Sequence, residues 1–232
     1  MSDKSVVACL DELEAQVRSL ADESLAPVEL PRDFAERRTQ WAGRDVMLQT
    51  HMWNDPRGRT NVRIARGRGA LESLTAVVFG PRHDSLLGLD IVAFATRPDE
   101  GPRLVAIVAD VQGVTSVGQL QRLRMAYARA SHLGRMRDWS DTGASPFGTL
   151  GFIASPREPD PGPWAEVCAE YIEGFRPSIE PGNPKGPVPL ALRAYLAALS
   201  DSKKQLKVLG KLFGEDWTRE YFDGVFFQTR GL

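Results

Sequence analysis

In the stretch LLGLDIVAF, residues 86–94, one carboxylate, Asp90, stands among Leu89, Ile91, Val92 and Phe94. An unpaired carboxylate in apolar surroundings is costly. The side chain must therefore be paired, solvated at an opening, or protonated. The last condition would make it an acid with a raised pKa and a proton to give. The plain alternative is structural: Asp90 closes a turn at LLGLD or accepts backbone hydrogen bonds at the end of a sheet. Asp201, in LSDSKKQL, reads most simply as the cap of the helix that follows. Thr75, in LTAVVF, is an ordinary strand residue, and Arg63 and Arg137 are surface arginines by default.

Other chemistries find little support. GASPFG is not a nucleophile elbow, which needs G-x-S-x-G between a strand and a helix. GRDVML and ARGRGA lack the spacing and the Lys-Ser or Lys-Thr of a phosphate loop, and no GxGxxG opens a dinucleotide fold. The two cysteines, Cys9 and Cys168, and the three histidines show no metal-ligand spacing. Both cysteines fall in helical periodicity and are read as reduced and structural. A redox function would therefore take its electrons from a partner.

The chain has 232 residues, 42% of them hydrophobic and 25% charged, the balance of an ordinary globular protein. No apolar run approaches the ~20 residues of a membrane span. The N-terminus lacks the basic-then-apolar order of a signal peptide, so a cytoplasmic location is expected. A net charge of −1 conceals two basic stripes. RGRTNVRIARGR, residues 57–68, and QRLRMAYARASHLGRMR, residues 121–137, each carry five arginines and no acid. Such stripes suit an acidic protein partner or a solvated face balanced by acids elsewhere. No nucleic-acid motif accompanies them, and no nucleic acid is expected.

The elements that must position these residues follow from periodicity. Val6, Leu10, Leu13, Val17 and Leu20 recur at three and four, an amphipathic helix. Pro27 and Pro31 begin an irregular segment. DVMLQTHMW, TNVRIARG, ESLTAVVFG, LGLDIVAFAT and RLVAIVADV then read as strands separated by turn-like breaks. Links this short imply an antiparallel meander, because parallel crossovers need a dozen residues or more. From about residue 116 helical patterns return: VGQLQRLRMAYARASHL, PWAEVCAEYIEGF, 188–199, 202–213 and EDWTREYFDGVFF. The segment DTGASPFGTLGFIAS is a short strand or an irregular return. The expected fold is a single α/β domain over 1–232. It is a three-layer α/β/α sandwich whose central antiparallel sheet is flanked by helices on both faces.

LLGLDIVAF followed by RLVAIVADVQ, with the tail KVLGKLFGEDWTREYFDGVFF, resembles the ferredoxin-dependent bilin reductases. Phe213, Gly214, Glu215, Trp217, Phe226 and Phe227 match that family's tail pattern, FGE-x-W and an aromatic end. MWNDPRGRTNVRIARG and ESLTAVVFGP fall where the family has edge strands. The resemblance covers about residues 40–115 and 190–228. It implies reduction of biliverdin IXα, or of a dihydrobiliverdin, by electrons delivered singly from reduced ferredoxin. It implies no bound metal or flavin, and a tetrapyrrole lying between the sheet and the C-terminal helices.

Carried across residue by residue, the family's strand aspartate is Asp90. The histidine and glutamate of phycocyanobilin-forming members fall on Thr75 and Arg63. The asparagine of phycoerythrobilin-type members is likewise replaced at Thr75. Their second aspartate corresponds to Lys203 without a gap, and to Asp201 with a two-residue shift. Lys204 and Arg137 fall near positions that hold the bilin propionates. The expectation is a monomeric enzyme with Asp90 and Asp201 as acids, and with Thr75, Arg63, Arg137 and Lys204 against the substrate. Acidic ferredoxin would dock on the arginine-rich face. The alternatives are a bilin carrier or chaperone of the same fold, and a reductase of an opened chlorophyll catabolite.

Overall fold

The computed structural model describes residues 4–21, 25–55, 60–80, 84–95, 100–137, 147–176 and 190–228. The five apolar runs form the heart of one nine-stranded antiparallel sheet: β3 (Arg44–Asn54), β4 (Thr60–Gly69), β5 (Leu71–Phe79), β6 (Leu86–Phe94) and β7 (Arg103–Gln112). They pair in sequence order, as short links require. Four further strands extend the sheet. β1 (Ala26–Pro27) and β2 (Glu36–Trp41) both pair with β3. β9 (Phe152–Pro156) pairs with β7, and β8 (Gly134–Arg137) pairs with β9 at the far edge.

Successive side chains on a strand point to opposite faces, and the burial of β6 separates cleanly along that alternation. Leu87, Leu89, Ile91 and Ala93 join an apolar cluster with α1 (Val6–Arg18), α3 (Val117–Leu133) and α4 (Gly162–Phe175). Leu86, Val92 and Phe94 join a second cluster with α5 (Leu190–Ser200), α6 (Lys203–Phe213), α7 (Glu215–Glu220) and the segment that follows α7. Having both faces covered explains why LLGLDIVAF carries so few polar residues. The remaining helix, α2 (Arg32–Ala35), is a single turn before β2.

Two local features hold the covering helices in place. Ser5 caps α1 by accepting the amide hydrogen of Ala8 at 3.2 Å. α1 is then tied to the sheet by Arg66, whose buried guanidinium meets Asp11 at 3.0 Å and Glu72 at 2.8 Å. At the other face, Tyr221–Phe226 is a π-helical turn. Its longer period turns Tyr221, Phe222, Phe226 and Phe227 all inward. Trp217 and Tyr221 stack at 4.8 Å, and Tyr221 shares a 2.8 Å hydroxyl hydrogen bond with Thr50 of β3.

The LLGLD segment is continuous strand, not a turn. Gly88 is required because the hydroxyl end of Tyr195, from α5, occupies the space a Cβ would take. Both cysteines are buried and free, and burial pushes the Cys168 thiol up to about 12. Among the described residues, no helix is long and apolar enough to cross a membrane.

Gly88→Ala should destabilise the fold by about 1–3 kcal/mol through overpacking against Tyr195. Much of that loss should be recovered in a Tyr195→Phe background, measured as a double-mutant cycle of urea unfolding. Strictly additive effects would show that Tyr195 is not what excludes a side chain at 88.

Candidate functional site

One row of paired residues crosses the sheet on the face covered by α5–α7. Thr50 of β3 stands opposite Ala65 of β4, Ala65 opposite Thr75 of β5, and Thr75 opposite Asp90 of β6. The row continues through Val108 of β7 and Ile153 of β9 to Arg137 of β8. Directly paired residues share a face, so Asp90 and Arg137 look the same way. Three strand spacings separate their backbones, about 14 Å.

Asp90 is held from two sides. The Thr75 hydroxyl donates to Oδ1 at 2.7 Å, and the Gln205 side-chain amide, from the first turn of α6, donates to Oδ2 at 2.7 Å. Burial pushes the Asp90 carboxyl above its usual range, while these two hydrogen bonds pull against that rise. The residue is not sealed. On β5, only Thr75 keeps exposed surface, and on β6 only Asp90, Val92 and Phe94 do. The last three sit at every second position, so a narrow opening runs along one face of β6.

Phe94, at the end of that row, also lines an open groove of about 230 Å³ together with Trp41, Lys207, Val208, Lys211 and Leu212. Lys207 and Lys211 are exposed, one turn apart on α6. On the opposite face, the space between α1, α4 and the sheet is only about 10 Å³, room for no more than a water.

The remaining sequence-derived residues separate. Arg63 is not a surface residue. It is buried on β4 and gives hydrogen bonds to the carbonyls of Phe226 and Phe227 at 2.9 and 2.8 Å and to Gln228 Oε1 at 3.1 Å. Its guanidinium lies 5.6 Å from the Phe79 ring centre. Burial lowers it to about 10, so it stays cationic at neutral pH, a tie for the tail. Asp201 lies at the end of α5 with 78% of its side chain exposed, 3.4 Å from Arg219. It does not meet Asp90. Arg137 is exposed on β8. Lys204 belongs to α6, and its side chain lies outside the described residues.

Three arginines of the stripe at 57–68 are described, and two of them are turned inward. Arg63 and Arg66 point inward, and Arg68 pairs with Asp11 at 2.9 Å; Arg57 and Arg59 lie outside the described residues. In the second stripe all five arginines are exposed. Arg122 and Arg129 meet Glu170 and Glu166 at 3.2 and 3.5 Å.

Two polar side chains beside Asp90 were not singled out from the sequence. Gln205 was one; Asp110 of β7 is the other. Asp110 is fully buried and stands opposite Gly88, one diagonal step from Asp90 on the same face. It accepts hydrogen bonds from Gln112 Nε2 at 2.8 Å and from the Gly148 amide at 3.1 Å. Tyr195 lies close enough to both carboxylates that their charges help hold its phenol protonated, after burial as the main cause. Among the described residues, no group of three or more His, Cys, Asp or Glu could hold a metal ion.

Burial raises Asp110 to about 6, against the opposing pull of its donors. A carboxyl raised on folding costs nothing where it is neutral in both states. Its cost grows as pH rises from about 4 through about 6. Asp110→Asn should therefore gain stability relative to the unmodified protein as pH rises from 4 to 7, by about 1–3 kcal/mol, read from urea midpoints. A gap that stays constant with pH would show that Asp110 ionises freely in the folded state.

No protein-family model matches the chain, and no curated protein matches it. Among solved structures it is similar to phytochromobilin synthase from tomato, crystallised in complex with biliverdin, with a TM-score of 0.63 and 12% identity. The match covers 96% of this chain and 82% of that one. At that identity the likeness is one of fold: this chain has the mixed α/β fold, built on a large antiparallel sheet, of a biliverdin-binding synthase.

Proposed function

We propose that this protein is a ferredoxin-dependent bilin reductase in which Asp90 protonates the tetrapyrrole before each electron arrives. The observation that carries the reading is a carboxyl on a helix-covered sheet face that keeps some exposed surface and is held by Thr75 and Gln205. The fold shared with a biliverdin complex supports it. So do the two apolar clusters on opposite faces of the sheet, which we read as a three-layer α/β/α sandwich forming one domain. The bilin lies between β6 and α5–α7, extending from Asp90 toward Phe94. Its propionates reach cations from the set Lys204, Lys207, Lys211 and Arg137.

The balance is simple. Saturating one double bond of biliverdin IXα takes two electrons and two protons. Two reduced ferredoxins supply the electrons, one each. Asp90 supplies a proton and is recharged from water through the opening. A carboxyl raised by burial is suited to this, because it keeps its proton nearer neutral pH than an exposed one. The exposed cations Lys207 and Lys211 and the second arginine stripe suit an acidic donor. We place the protein in the cytoplasm as a monomer.

One observation favours a second reading, a bilin carrier that does not reduce its cargo. Asp110 is closed off and Asp201 is on the surface, which leaves Asp90 as the single carboxyl described at the opening.

Anaerobic mixing with biliverdin IXα, followed by ferredoxin, its reductase and NADPH, separates the two readings by visible spectroscopy. The reductase binds with a shifted biliverdin band and then replaces it with a new one; a carrier shows only the first change. Asp90→Asn should bind bilin yet lose at least about a hundredfold in turnover, the lower range for a general acid. Normal turnover in that variant removes Asp90 from the mechanism. Turnover should also fall several-fold between about 20 and 300 mM salt while bilin affinity changes less. A salt-independent rate would exclude an electrostatic encounter.

A further inference from the structure

Gln205 contributes half of its amide to Asp90 and leaves the other half unused. An ionised carboxylate only accepts hydrogen bonds, so the amide NH2 faces Asp90 Oδ2 at 2.7 Å. The amide carbonyl must then point elsewhere. Its oxygen, Oε1, is buried without a hydrogen-bond partner among the described residues. Buried acceptors are rarely left this way, because an unmade hydrogen bond forfeits the solvation it replaced. The helix face that carries Gln205 is otherwise apolar: Val208, Leu209 and Leu212 follow at three, four and seven, and all pack toward the sheet. A leucine at 205 would extend that face without a polar cost.

We propose that Gln205 reads the ligand: its Nε2 holds Asp90 while its Oε1 accepts an N–H from a pyrrole or lactam ring, clamping proton donor and tetrapyrrole to one planar amide. This rests on the bilin reading above and adds a chemical selectivity to it. A linear tetrapyrrole offers N–H donors. Haem, the same four rings closed around iron, offers none, because its nitrogens are bound to the metal. A buried acceptor left without its donor penalises a ligand that lacks the group far more than apolar contacts reward one that has it. Gln205 would thus bias the cleft toward the opened tetrapyrrole over its macrocyclic parent.

Gln205 acts through Asp90 as a positioning residue as well as touching the ligand, and the two roles separate by substitution. The groups around Asp90 are Thr75 on β5, Gln205 on α6, Tyr195 on α5 and Asp110 on β7, with Lys207 exposed two residues further along α6. Gln205→Leu removes donor and acceptor. Gln205→Glu keeps the shape and an acceptor oxygen, but loses the donor and sets a second carboxyl beside the first.

The test is a visible titration of the full chain and both variants with biliverdin IXα and, separately, with ferric haem, from pH 5 to 9. Gln205→Leu should weaken biliverdin about tenfold, the worth of one buried hydrogen bond, while haem binds as tightly as before or more tightly. Gln205→Glu should keep biliverdin affinity within about threefold. In both variants the pH midpoint of the bound-bilin spectrum should move upward, because Asp90 loses a donor that favours its charged form. Equal losses for biliverdin and haem in Gln205→Leu, or a Gln205→Glu as weak as Gln205→Leu, would overturn the clamp. An unmoved pH midpoint would overturn the tie to Asp90. Should the unmodified protein bind no biliverdin at all, the bilin reading itself falls, and the clamp with it.

Discussion

A carboxylate on a covered sheet face must be compensated where it stands, and much of this molecule follows from how Asp90 is compensated. One donor, Thr75, comes from the neighbouring strand through direct cross-strand pairing. The other, Gln205, comes from a helix 115 residues later in the chain. The sheet alone could not satisfy both oxygens, and α6 alone would have nothing to bind. The site exists only where strand register and helix docking agree. A one-residue slip of β6 would turn Asp90 into the apolar layer under α1, α3 and α4, and turn Leu87, Leu89 and Ile91 to this face in its place.

The rest of the fold keeps that agreement. Gly88 lets Tyr195 approach β6 closely, which seats α5 and the turn into α6. Thr50 and Arg63 fasten the tail at two points of the same sheet face. The other face is held differently, with the charged cluster of Arg66, Asp11 and Glu72 tying α1 down.

The five central strands were legible because alternation and turn residues bracket them, and the helices at 117–133 and 203–213 because their apolar positions repeat at three and four. β2 was not legible: ERRTQW is polar up to Trp41, which is itself exposed, and the strand buries little. Asp90 could be found because a charge inside an apolar run is conspicuous. The same signal was present for Asp110 in RLVAIVADVQ and for Arg63 in TNVRIARG. Arg63 was misread as a surface residue because its true partners, two backbone carbonyls more than 160 residues away, leave no trace in side-chain pattern. Gln205 offered a fainter sign, one polar residue on the apolar face of α6. Asp201 read as a site residue through motif spacing, and packing put it in water beside Arg219.

The tie between Arg63 and the tail has a kinetic side. The meander β3–β7 forms from contacts between neighbours in sequence, the kind that assemble quickly. Arg63 can leave water only when residues 226–228 arrive, closing a loop of more than 160 residues. Loop closure of that length adds little to the thermodynamic cost, since it grows only with the logarithm of length. It does set an order of events. The hairpins of β3–β7 can form without the tail, whereas this face cannot be covered without it, and a chain between those two states has the apolar residues around Asp90 bare. The step that finishes the pocket is thus also the step during which the chain is most open to misassociation.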